Sequence, residues 1–149
     1  AWRAHVSRLV HPLTGSHTWV DYDGTSVVRQ IWNGKANLGE LEVTGPAGSI
    51  EGLTFRLYDP QARRWLIRWA NSRDGELGMT PMIGGFADGR GVFYDRETLA
   101  GRPVAVRFVF ANLTRDAFTF EQAYSPDDGR TWETNWRASF TRSRLDRRN

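Results

Sequence analysis

VAVRFVFANLTRDAFTFEQAYSPDDGRTWETNWRASFT, residues 104–141, alternates apolar and polar side chains at every second position, the period of β-strands. Residues 104–111 place Val104, Val106, Phe108 and Phe110 on one face and Ala105, Arg107, Val109 and Ala111 on the other. Residues 118–125 set Phe118, Phe120, Gln122 and Tyr124 against Thr119, Glu121 and Ala123. Residues 131–141 set Trp132, Trp136, Ala138 and Phe140, with Thr134 among them, against Glu133, Asn135, Arg137, Ser139 and Thr141. Pro126-Asp127-Asp128-Gly129 marks the turn between the last two runs.

Working outward, the same pattern covers residues 2–10, 17–23, 25–32, 36–43, 49–58, 64–71 and 91–95. Asp23-Gly24 and Asn33-Gly34 read as tight hairpin turns, because Asn, Asp and Gly tolerate positive φ. Gly45-Pro46-Ala47-Gly48, Asp59-Pro60, Arg73-Asp74-Gly75 and Asp88-Gly89 read as further turns. Residues 76–86 hold Gly78, Pro81, Gly84 and Gly85, which predicts a broken strand or a loop over one end. Asp59-Pro60 also resembles a helix start, but Trp65, Ile67 and Trp69 alternate with Leu66, Arg68 and Ala70, which favours a strand. About ten strands in sequential hairpins predict an all-β, single antiparallel up-and-down barrel, closed so that no edge is left exposed. Residues 1–141 form this domain, and 142–149, with Arg142, Arg144, Arg147 and Arg148, read as a basic solvated tail.

Composition narrows the chemistry. The chain has 149 residues, enough for one core, and no cysteine, which excludes thiol catalysis and thiolate metal sites. Net charge is +3, with the arginines interleaved with acids over most of the chain, so no nucleic-acid partner is expected. No run approaches a membrane helix, and none resembles a signal peptide, which points to the cytoplasm. The chain starts at Ala1 without a methionine, which leaves open a segment trimmed before it. His5, His11 and His17 do not follow a metal-ligand spacing, no phosphate loop opens a helix, and no metal or cofactor is expected.

Several residues carry a functional and a plain reading. Trp19, Tyr22, Trp32, Tyr58, Trp65 and Trp69 are suited to line a ligand cavity or to pack a core. Arg29, Glu51, Arg107, Glu121 and Arg137 are charges within strand-like runs. Facing inward, they would need to form a network able to hold an anion; facing outward, they would pair across strands. Asp95 and Glu97 fall near a strand end, where either a barrel mouth or a turn would be.

Ser125-Pro126-Asp127-Asp128-Gly129-Arg130-Thr131-Trp132 resembles the S-x-D-G-G-K-T-W hairpin of bacterial lipocalin-like (calycin) proteins. Leu57-Tyr58-Asp59-Pro60 with Arg64-Trp65 is similar to their Y-D-P…W step, and residues 32–38 with Glu40 and Glu42 fit the same pattern. The resemblance implies a closed barrel with a central cavity. That family's function is largely undefined, so no catalytic residue is carried over. The Gly-rich, His-ended pattern of haem-binding nitrobindin-like barrels is missing, which argues against haem.

Three functions follow as expectations. The first is binding of a small, partly apolar organic ligand in the lumen. The second is a cofactor-independent isomerase, cyclase or lyase, with Glu121, Arg107 and Asn135 moving protons in a shared cavity. The third is a homodimer formed through an exposed aromatic sheet face.

Overall fold

The computed structural model describes residues 1–78 and 80–143. It carries the strands β1 Trp2–Leu9, β2 Trp19–Ile31, β3 Ala36–Gly45, β4 Gly48–Asp59, β5 Arg64–Asn71, β6 Met82–Ala87, β7 Arg90–Leu99, β8 Arg102–Ala111, β9 Ala117–Ser125 and β10 Glu133–Arg142. Each pairs antiparallel with the next, and β1 pairs with β10, so the sheet closes into a ten-strand up-and-down barrel. The predicted fold class is borne out, and no α-helix is present among the described residues.

Most predicted turns are turns. Asn33 and Gly34 both have positive φ (55° and 88°) beside a single 3-10 turn at Trp32–Gly34. Asp88 and Gly89 likewise join β6 to β7 at φ 54° and 71°. At Asp59-Pro60 a capping turn forms but no helix follows: Asp59 Oδ1 accepts from the N–H groups of Gln61 and Ala62, and Arg63 then turns at φ 53° into β5.

Asp23-Gly24 is a correction. It is not a turn but the middle of the long β2, which joins the two runs expected at 17–23 and 25–32. Gly24 is there for close approach, since a Cβ on it would stand 1.9 Å from the Glu42 carbonyl oxygen of β3. Within the irregular stretch 76–86, residues 82–86 belong to the short β6. β10 extends to Arg142, whose guanidinium lies 4.5 Å from the Trp2 ring centroid and donates to the Arg115 carbonyl. Arg144, Arg147 and Arg148 of the expected tail lie outside the described residues.

The S-P-D-D-G-R-T-W segment is a hydrogen-bonded loop. Ser125 Oγ donates to Asp127 Oδ1 and accepts from the Gly129 N–H, both at 2.8 Å. The Asp127 carboxylate also accepts from the Thr131 N–H (2.8 Å) and hydroxyl (2.6 Å). Thr131, through hydroxyl and then N–H, is the main reason the Asp127 carboxyl is held down at about 2. A depressed carboxyl stabilises the loop above its ordinary value and is lost as pH falls through the folded value. The Gly129 and Thr131 amide resonances are therefore expected to move together in a titration centred near pH 2. A shift centred near the ordinary aspartate value would contradict this assignment.

Inward residues form two packed clusters. Ala4, Val6, Tyr22, Leu41, Val43 and Ala138 make one; Ile67, Met82, Phe93, Val104, Val106 and Phe110 make the other. Between them the lumen stays open.

Candidate functional site

β8 and β9 turn their aromatic stripes inward, as does the part of β10 after its bulge, so Phe108, Phe110, Phe118, Phe120, Trp136 and Phe140 wall a cavity of about 390 Å³. Phe118 stacks on Phe140 with centroids 4.5 Å apart, and Phe120 contacts Phe108 and Phe110 at 5.0 Å each. Trp69 of β5 completes the wall, 6.4 Å from the Trp136 ring. Its indole lies across Gly52 of β4, where a Cβ would stand 1.9 Å from Trp69 Cη2. Gly52 thus leaves the space that Trp69 occupies.

A bulge on β10 alters the stripe expected there. Thr134 pairs with Ala123 and Trp136 with Gln122, leaving Asn135 as the extra residue between them. Strict alternation would keep Asn135 outside; the bulge carries it inward instead, where it is buried and its Oδ1 accepts from Gln122 Nε2 at 2.8 Å. For the same reason Trp132 and Thr134 do not share the inner face with Trp136. Asn135 Nδ2 has no partner among the described residues.

One end of the cavity is polar. Arg8, Glu97, Gln122, Tyr124 and Asn135 line it, from β1, β7, β9 and β10. Burial, then the neighbouring Asp95, raises the Glu97 carboxyl. Burial, then Glu97, raises the Tyr124 phenol, with Arg8 and the Gln122 hydrogen bond opposing. Residues 10–18 link β1 to β2 over this end: Pro12 lines the cavity, Leu13 packs on the second cluster, and the Leu13 N–H donates to Glu133 Oε1 at 2.7 Å.

Arg56 of β4 also lines the cavity, away from the polar end and near Phe110. It pairs in register with Asn37 and Ile67, donates from Nη1 to Asn37 Oδ1 at 2.8 Å, and sits 6.0 Å from the Phe110 centroid. It keeps some accessible surface because it faces the open lumen, yet barrel wall surrounds it. That burial pushes its guanidinium down to about 10, leaving it charged at neutral pH.

The sequence-based candidates divide between the two faces. Trp69 lines the cavity, and Tyr22 is packed in the first core cluster. Trp65 packs on the second cluster with Tyr58 5.3 Å away. Trp19 is outside, beneath the Arg137 guanidinium at 4.7 Å. Trp32 sits on the 3-10 turn, 66% exposed, and lines nothing. Arg29 pairs with Glu40 across the outer face at 3.5 Å, Arg137 with Glu121 at 3.8 Å, and Glu51 is exposed on β4. Arg107 lies against Trp132 on the outside, 4.4 Å from its ring centroid, with its Nε buried and unpartnered among the described residues. Glu121 and Arg107 therefore stand outside the lumen while Asn135 stands inside, and the three do not meet in one cavity.

A second concavity, an open groove of about 500 Å³ on the outer face, runs between Tyr94, Arg96, Asp128 and Trp132. Its charged side chains are already engaged: Arg96 pairs with Asp128 at 2.5 Å, and Asp95 accepts from the Thr80 hydroxyl at 2.7 Å. It offers little enclosure, so the lumen is the better ligand site. Among the described residues no cluster of three or more His, Asp or Glu side chains is placed to hold a metal ion, and no helix is long and apolar enough to cross a membrane.

Fold and cavity together define a closed ten-strand up-and-down barrel, consistent with a lipocalin-like architecture. No family model matches the chain, and no curated protein matches it.

Proposed function

We propose that this barrel binds a small, partly apolar organic molecule in its lumen. The observation that carries the reading is the aromatic-walled cavity of about 390 Å³ with a polar end, within the size range of small-ligand sites. A packed interior would hold few voids larger than a water molecule. Titration with the neutral fluorophore N-phenyl-1-naphthylamine tests it. Saturable enhancement at one site per chain is expected; no enhancement, with no heat of binding, would sink the reading.

Gly52→Ala supplies a structural control. The added methyl displaces the Trp69 indole, at a cost of about 1–3 kcal/mol for overpacking. Fluorophore affinity is expected to fall and Trp emission to shift, while the far-ultraviolet circular dichroism stays β. Unchanged affinity would place the probe away from Trp69.

A second reading, association of two copies, is favoured by one feature of β4. Leu53, Phe55 and Leu57 all point outward and are each about two-fifths exposed. Light scattering is expected to give a dimer if this stripe associates, and Phe55→Asp to return a monomer; a monomeric wild type would remove the reading.

A further inference from the structure

Building on the lumen reading above, we infer that the ligand is an organic acid, with its carboxylate on Arg56 and its apolar body along the phenylalanine wall. Arg56 differs from five arginines of the outer surface. Arg29, Arg64, Arg96, Arg137 and Arg142 each have an acid within 4.0 Å. For Arg56 no such acid occurs among the described residues, and its one side-chain hydrogen bond is to the neutral Asn37. The residue is nevertheless enclosed in the lumen wall, beside Phe110.

An enclosed charge without a counterion is costly, and chains retain few of them. A carboxylate entering the lumen would supply the missing charge and accept two parallel hydrogen bonds from the guanidinium fork. Space for the guanidinium is also provided. Gly39 of β3 faces it, and a Cβ there would stand only 3.2 Å from Nη1. Phe108, Phe118, Phe120 and Phe140 offer an apolar wall for a hydrocarbon or aromatic body. The charge, the wall and the missing counterion together select a monoanion with an apolar body over a neutral lipid or a cation.

The test uses the full chain at pH 7.5 with N-phenyl-1-naphthylamine bound, displaced by decanoate, 1-decanol or decylamine. Decanoate is expected to displace the probe at about tenfold lower concentration than 1-decanol, the scale of a hydrogen-bonded charge pair, with decylamine weakest. Arg56→Met should abolish the preference for the acid, read as the ratio of decanoate to 1-decanol displacement within the variant. Arg56→Lys should keep part of it, as charge without the fork. Equal displacement by decanoate and 1-decanol would overturn the inference and leave the lumen reading standing, as would a preference that survives in Arg56→Met. Absence of binding by all four compounds, checked by calorimetry, would overturn both.

Discussion

Phe93→Ala is expected to lower the stability of the barrel by about 3–5 kcal/mol, the range for truncating a fully buried phenylalanine. Phe93 has no exposed surface, and its ring contacts those of Phe86 and Phe110, each with centroids 5.7 Å apart. The hole cannot close readily. Gly84, its partner across the β6–β7 pair, lies so close that a Cβ would stand 1.9 Å from the Val92 carbonyl oxygen and 2.8 Å from Phe93 Cα. The backbone there is already at its limit of approach. β6 is also held to β5 by a short register of only Trp65–Gly84, Leu66–Ile83 and Ile67–Met82, so the seam depends on packing from within. Each kcal/mol moves the midpoint by about 2–4 °C in a domain of this size, giving a fall of roughly 10 °C. Urea and thermal unfolding would measure it, and a loss below about 1 kcal/mol would show that the core repacks around the gap.

Arg56→Met is expected to act in the opposite direction and raise stability by about 1–4 kcal/mol, as replacing buried ionic groups by apolar ones of similar volume often does. The sign follows from burial. The folded guanidinium is pushed down from its ordinary value to about 10, so its charged form is disfavoured in the folded state. That penalty is fully present below about pH 10 and fades as pH rises above it toward the ordinary arginine value. At neutral pH the methionine variant escapes it, losing the bond to Asn37 and the contact with the Phe110 ring. The urea midpoint should therefore rise while preference for acids disappears, a trade of function against stability common to binding sites. A lower midpoint would mean that the Asn37–Arg56 contact holds β3 to β4 and that Arg56 is structural.

The barrel was legible because most strands obey one rule, and β8 and β9 obey it simply: Phe108, Phe110, Phe118 and Phe120 form the more apolar stripe and face inward. β4 reverses it. Leu53, Phe55 and Leu57 look like the inner stripe, yet they face outward and leave Ile50, Gly52, Thr54 and Arg56 in the lumen. Only register decides this, because Arg56 lies beside Asn37, and Thr54 beside the inward Gly39. No local pattern in residues 49–58 carries that information, which is why Arg56 escaped notice while the outward Arg29, Arg107 and Arg137 attracted it. Alternation groups Asn135 on one face with Arg137, Glu121 and Arg107; a one-residue bulge separates it from them and sends it inward alone. Asp23-Gly24 misled for the converse reason, since a glycine needed for close strand approach has the same letters as one needed for a turn. Glu97, open in the sequence between a barrel-mouth and a turn position, lies within β7 and lines the polar end of the cavity.

Pressurising crystals with xenon probes the lumen without presupposing any ligand, because the gas settles in empty apolar space. Xenon density is expected inside the barrel, in contact with Phe118, Phe120 and Phe140. A barrel whose interior is filled by those rings, with no xenon between them, would contradict the account.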